Sequence, residues 1–187
     1  MPRIVIGLVG PIASGKSTIV KHLKNKGYSS YSLSDRIREE IRTRGLEITR
    51  QTLTSVGNEL REKLGADILA KRTTDLIDRD YSERSVIDSI RNPSEVAYLK
   101  DHFGTKIIGI IAPQKKRFDY FVHRPNNREG VSGWEEFKAL DDLELVQEGE
   151  HKQQVQACLD LADIVIENNG TVEELQQKVD KFISSLS

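Results

Sequence analysis

The chain has 187 residues, with 28 Lys+Arg against 29 Asp+Glu and a formal charge of -1. That length fits one domain with a core able to stand without disulfides, and the single cysteine, Cys158, has no second cysteine to pair with. The composition, 30% charged and 37% hydrophobic, is globular. Its balanced charge excludes a whole-molecule field for steering onto nucleic acid or an anionic membrane, so any phosphate chemistry must use local charge.

In chain order, Arg3 to Val9 is apolar and β-branched and leads through Gly10, Pro11 and Gly15 into Ile19, Val20 and Leu23 at helical spacing: strand, loop, helix. The apolar run at the N-terminus is far shorter than a membrane span, so no membrane partner is expected. A second strand near Ser29 to Leu33 precedes a helix carrying Ile37 and Ile41. Two further helical stripes, one through Leu53, Val56, Leu60 and Leu64 and one through Ile68, Leu69, Leu76 and Ile77, predict a helical excursion over residues 34–80. Ser85 to Asp88 reads as a short buried strand. Asn92, Pro93 and Glu95 then supply an N-cap, a proline at the first helical position and a glutamate at the third.

Lys106 to Ala112 is nearly unbroken apolar sequence, as in a parallel strand covered on both faces. The stretch over 115–133 turns basic, with Pro125, Asn126, Asn127 and Gly130 at its tip, and reads as a lid; Tyr120, Phe121 and Trp134 read as its packing. Ser132 to Glu135 offers a capping-box helix start. A short helix spans Val155 to Leu161, with Cys158 as a small buried hydrophobe. Ile164 to Ile166 forms the last strand, and Thr171 to Glu174 caps a well-patterned terminal helix. Residues 1–187 therefore read as a single α/β domain with a parallel sheet.

Gly10-Pro11-Ile12-Ala13-Ser14-Gly15-Lys16-Ser17 satisfies G-x-x-x-x-G-K-[S/T] between a buried strand and a helix start. Backbone N–H groups from Ala13 to Thr18 are expected to cradle an anion, helped by the helix dipole. Lys16 is expected on the β and γ phosphates of ATP and the Ser17 hydroxyl on Mg²⁺. Asp88 closes a parallel strand at the edge where ligands of open α/β sheets bind, and is expected to hold the metal through water or to orient the acceptor. Asp35 follows the second strand and is equally an N-cap or a functional acid. Arg38, Arg61 and Arg91 are candidates for gripping an acceptor's phosphate, since a guanidinium binds phosphate oxygens bidentately. Arg91, three residues past Asp88, is the first choice. The four histidines show no metal-ligand spacing.

GLVGPIASGKST, SLSDRIREEI, LTSVGNELREKLGADILAKR, SVIDSIRNPSEVAYLK and ADIVIENNGTVEEL together resemble the nucleoside monophosphate kinase-like P-loop proteins, and within them the largely archaeal dephospho-CoA kinase-related branch. The resemblance implies the P-loop NTPase three-layer fold, a five-stranded parallel sheet of order 2-3-1-4-5 and γ-phosphoryl transfer from ATP with Mg²⁺ to a small phosphorylated acceptor. It makes Asp35 a catalytic base, sets Arg117, Arg124 and Arg128 in the lid region, with Arg124 on the nucleotide and Arg128 on the transferring group, and brings Asn168, Asn169 and Gly170 near adenine. Dephospho-CoA kinases carry Asp-x-Asp after the second strand, whereas Leu33 occupies the first of those positions here. That departure favours a nucleoside or deoxynucleoside monophosphate over dephospho-CoA. The alternative from another class is a non-catalytic, nucleotide-dependent switch. A cytoplasmic setting and a monomer or small homo-oligomer complete the expectations.

Overall fold

Alternation within the strands decides the architecture. The computed structural model describes residues 3–123 and 133–186. Its strands are β1 (Ile4–Val9), β2 (Ser29–Ser32), β3 (Arg84–Asp88), β4 (Lys106–Ile111) and β5 (Ile164–Glu167), all parallel, in the order β2-β3-β1-β4-β5. Successive strand residues point to opposite faces. Val5, Val9, Ile87 and Ile107 accordingly share one core, while Ile6, Leu8, Val86 and Ile108 share the other.

Helices cover both faces, which makes three layers. Helices α1 (Lys16–Asn25) and α9 (Val172–Ser184) bury Ile19, Leu23, Leu175 and Val179 on one side. On the other lie α2 (Leu33–Thr43), α3 (Arg50–Leu64), α4 (Ile68–Arg79), α5 (Pro93–Phe103) and α8 (Val155–Asp160), and Cys158 is buried in that core. This is the P-loop NTPase fold with a helical insertion, as the sequence implied. None of the helices is long and apolar enough to cross a membrane among the described residues.

The expected caps form at two helices. Asn92 and Glu95 make a reciprocal box at α5 with Pro93 in the first turn, and Thr171 and Glu174 make another at α9. Thr49 and Thr52 add a third at α3. The helix expected after Ser132 is α7 (Trp134–Leu145), with Gly133 as N-cap and no side-chain cap bond; Ser132 itself lies outside the described residues.

The basic stretch is described only as far as residue 123. Its first half is α6 (Gln114–His123), and there Phe118 and Phe121 join Trp134 and Phe137 in a third apolar cluster, together with Ile12 of the glycine-rich loop. Arg117 is buried rather than solvated. Arg124 and Arg128, expected on the nucleotide and the transferring group, lie outside the described residues.

Candidate active site

The loop between β1 and α1 borders a cavity of about 490 Å³ at the C-terminal edge of the sheet. Gly10 must be glycine because a Cβ there would fall against the Ile110 carbonyl oxygen. Ala13 takes a left-handed conformation, φ 57°, which a non-glycine residue adopts at a cost and mostly at functional positions. Gly15 has φ 113°, and its Cβ would sit 2.7 Å from Asn168 Nδ2. That amide donates to Ser14 O at 2.9 Å, tying the end of β5 to the loop. Residues Ala13 to Thr18 line the cavity, where the first N–H groups of α1 lack intrahelical partners.

Lys16 Nζ donates to Gly10 O at 2.7 Å and to Pro11 O at 2.8 Å. Burial holds its ammonium below the ordinary lysine range; Asp88 opposes that shift and Arg91 adds to it. Asp88 ends β3 opposite Ser32 of β2 and lines the same cavity. Its Oδ1 is buried and finds no hydrogen-bond partner among the described residues. The next residue, Ser89, is left-handed at φ 65° and accepts from Ser32 Oγ at 3.0 Å, so the strand end is sharply turned at the site.

The cavity's far side is an arginine junction. Arg91 Nη1 donates to Glu144 Oε1 at 2.7 Å and to Gln153 Oε1 at 3.2 Å, and Arg50 pairs with the same Glu144 oxygen. Glu144 is buried, whereas both arginines are partly exposed and line the cavity. Arg50 and Glu144 escaped the sequence reading because they meet across 94 residues, with no local pattern to mark them. Tyr120, read as lid packing, lines the cavity instead.

Expectations change for five residues. Arg61 is 1% exposed and ion-paired with the fully buried Glu95, at 2.8 Å, so it cannot reach an acceptor. Its partner Glu95 accepts from the backbone N–H groups of Arg91 and Asn92 at 2.8 and 3.0 Å, which makes Arg61 a positioning residue for Arg91. Asp35 is exposed in the first turn of α2, bonded to Arg38 at 2.9 Å, and neither lines the cavity. Asn169 is exposed and bonds Glu167, whereas its neighbour Asn168 touches the loop and Gly170 lines the cavity. Arg117 faces inward: it donates to Ile12 O and Ala112 O, each at 3.0 Å, and pairs with buried Asp141.

Residues 6–143 match the model of the AAA domain family. A UPF0200 protein of Thermococcus kodakarensis is 32% identical over 98% of this chain and 96% of its own. The chain belongs to the UPF0200 family. Among solved structures, shikimate kinase from Acinetobacter baumannii in complex with shikimate is similar with a TM-score of 0.61 at 19% identity, covering 99% of this chain and 95% of that one. A gluconokinase from Sinorhizobium meliloti gives 0.55 at 13%, covering 99% and 93%. At such identities the likeness is one of fold alone: the chain shares the P-loop fold of these kinases, and neither they nor the UPF0200 relative single out the dephospho-CoA kinase-related branch.

Proposed function

We propose that the chain is a Mg–ATP-dependent phosphotransferase that moves the γ-phosphoryl of ATP to a small phosphorylated acceptor, a nucleoside or deoxynucleoside monophosphate. The observation that carries this reading is the convergence of Lys16, the orphaned Asp88 oxygen and the Arg50–Arg91 junction on one cavity. Kinase function in proteins of the same fold agrees with it.

Lys16 releases its two loop carbonyls to take β and γ oxygens of ATP, which are stronger, charged acceptors. An acceptor phosphate oxygen attacks the γ-phosphorus, the bond to the β,γ-bridging oxygen breaks, and ADP leaves with that electron pair. Arg91 holds the acceptor phosphate, and the loop N–H groups stabilise charge on the transferring group. A monophosphate loses its second proton near a pKa of about 6, so this attack needs no protein base. A hydroxyl acceptor such as dephospho-CoA does need one, and exposed Asp35, salt-bridged to Arg38, is poorly suited to that role.

Mg²⁺ fits the residues present. Asp88 offers a buried oxygen in want of a partner, and Ser17 offers a hydroxyl on the same cavity. Magnesium is held in such sites by one or two protein groups plus substrate phosphates and waters. Once bound, it neutralises charge on the phosphate oxygens.

Coupled ADP-release assays across nucleoside and deoxynucleoside monophosphates, with dephospho-CoA alongside, test the reading. At least one monophosphate should drive ADP formation about a hundredfold or more above a Lys16→Ala control. ADP formation with dephospho-CoA alone would reassign the acceptor to a hydroxyl, and none with any acceptor would sink the phosphotransferase.

A further inference from the structure

Beside Asp88 a row of hydroxyls runs from α2 to the cavity. Arg38 Nη1 donates to Ser34 Oγ at 2.6 Å, Ser34 and Ser32 share a hydrogen bond at 2.9 Å, and Ser32 Oγ donates to Ser89 Oγ at 3.0 Å. A hydroxyl has a single hydrogen to give, and a guanidinium can only donate. These two rules fix the direction of the row. Ser32 gives its hydrogen to Ser89, so the bond between Ser32 and Ser34 is made by the Ser34 hydrogen, while the Ser34 oxygen accepts from Arg38. Every hydrogen in the row therefore points toward the cavity.

The Ser89 hydroxyl is left with its own hydrogen to place. Among the described residues its oxygen has one hydrogen-bond partner, Ser32, for which it is the acceptor; the buried Asp88 Oδ1 next door is not bonded to it. Ser89 lines the cavity together with Lys16, Asp88 and Arg91. Hydroxyls linked donor to acceptor polarise one another, so the last in the row is a stronger donor than an isolated serine. The backbone there, φ 65°, is one that glycine adopts without the steric cost a side chain brings. The turn alone would be met better by glycine; what serine adds is the hydroxyl. The row is also anchored from behind, since Ser32 is the register partner of Asp88 across β2 and β3 and Asp35 holds Arg38 at 2.9 Å.

We propose that Ser89 is a further catalytic residue of this site, its hydroxyl donating to a phosphoryl oxygen of the ligand, with Ser32 as its positioning residue. The proposal rests on the phosphotransferase reading. Lys16, Arg91 and the loop N–H groups gather anionic oxygens in this cavity, and a polarised donor gains more from a charged oxygen than from a neutral one. The γ-phosphate of ATP and the phosphate of the acceptor offer the same chemistry to it. Arg38, which does not line the cavity, then bears on the ligand through the row.

Calorimetric titrations with Mg²⁺ of ADP, of a non-hydrolysable ATP analogue and of inorganic phosphate onto the analogue-loaded protein test this. If the hydroxyl meets the γ-phosphate, Ser89→Gly should weaken the analogue about tenfold and leave ADP unchanged. If it meets the acceptor's phosphate, both nucleotides should bind as before and inorganic phosphate should weaken by about that factor. Ser32→Ala should give a smaller loss in the same titration, and Ser32→Thr, which keeps a hydroxyl, should restore it. The thermal midpoint of Ser89→Gly should stay level or rise, because the left-handed backbone is relieved of its side chain. Unchanged affinity for analogue and phosphate, equal weakening of ADP, no phosphate binding with the analogue unaffected, indifference to Ser32→Ala, or a lowered midpoint alongside the loss would overturn the proposal. Failure of the analogue to bind the wild type would instead count against the phosphotransferase reading, and inorganic phosphate titrated onto the unloaded protein would still decide Ser89.

Discussion

At Gly15 a methyl group meets two obstacles at once: a left-handed backbone and the Asn168 amide that fixes the loop. Gly15→Ala should therefore cost about 1–3 kcal/mol in urea denaturation and abolish binding of the ATP analogue. Lys16 pulls the other way. Its folded pKa lies below its unfolded value of 10.5 because burial disfavours the charged form. Between those two values the unfolded chain binds more protons, so this group makes stability rise with pH through that window. Lys16→Met should then raise the midpoint of thermal unfolding at neutral pH while eliminating analogue binding, a cost that functional sites commonly carry. Analogue affinity should fall as pH climbs through the alkaline range, beginning below the ordinary lysine pKa. The loop, Asp88 and Arg91 could be found in the sequence because strand, turn and helix signals bracket them locally. Arg61 was misassigned, and Glu144 unseen, because an arginine's role follows from its partner; Glu95 and Arg50 stand 34 and 94 residues away.

Among the elements, α5 does more than cover the sheet. Its N-terminal turn holds Arg91 and the backbone at Glu150 and Lys152 through Asn92 and Glu95. Glu95 serves two backbone N–H groups and a guanidinium, while Arg61 serves mainly Glu95. Breaking the pair from either side is expected to cost about 3–5 kcal/mol. Glu95→Ala should be the worse of the two, because it also strands the two N–H groups, and denaturant midpoints will order them. The sequence announced this helix start through Asn92, Pro93 and Glu95. It could not announce that the same Asn92 side chain grips the backbone 58 and 60 residues onward, since carbonyl partners carry no residue identity. Asn168 and Asn169 show the same limit: adjacent and chemically alike, they are told apart by which one the strand end turns toward the loop.

For the molecule as a whole, strand periodicity sufficed to foresee a sheet covered on both faces, and the strand order came from the resemblance. The joint between the loop and helices α6 and α7 was not foreseeable, because it is made by Ile12 entering an aromatic cluster and by Arg117 reaching from α6 to the Ile12 carbonyl. The chain's one tryptophan, Trp134, sits in that cluster. Its emission should shift when the ATP analogue binds, and Arg117→Met should weaken or remove that shift by uncoupling α6 from the loop. An unchanged spectrum in the wild type at saturating analogue would show the two to be mechanically independent.

The resting contacts of Lys16 have a last consequence. Because its ammonium is already held by two carbonyls, an arriving anion enters by partner exchange and must outbid both at once. Chloride or acetate, with one weakly held charge, gains little from that exchange, whereas a chain of phosphates offers several charged oxygens together. On the proposed reading the loop is thereby insulated from common ions, and selectivity for polyphosphates would begin before any base or sugar is read.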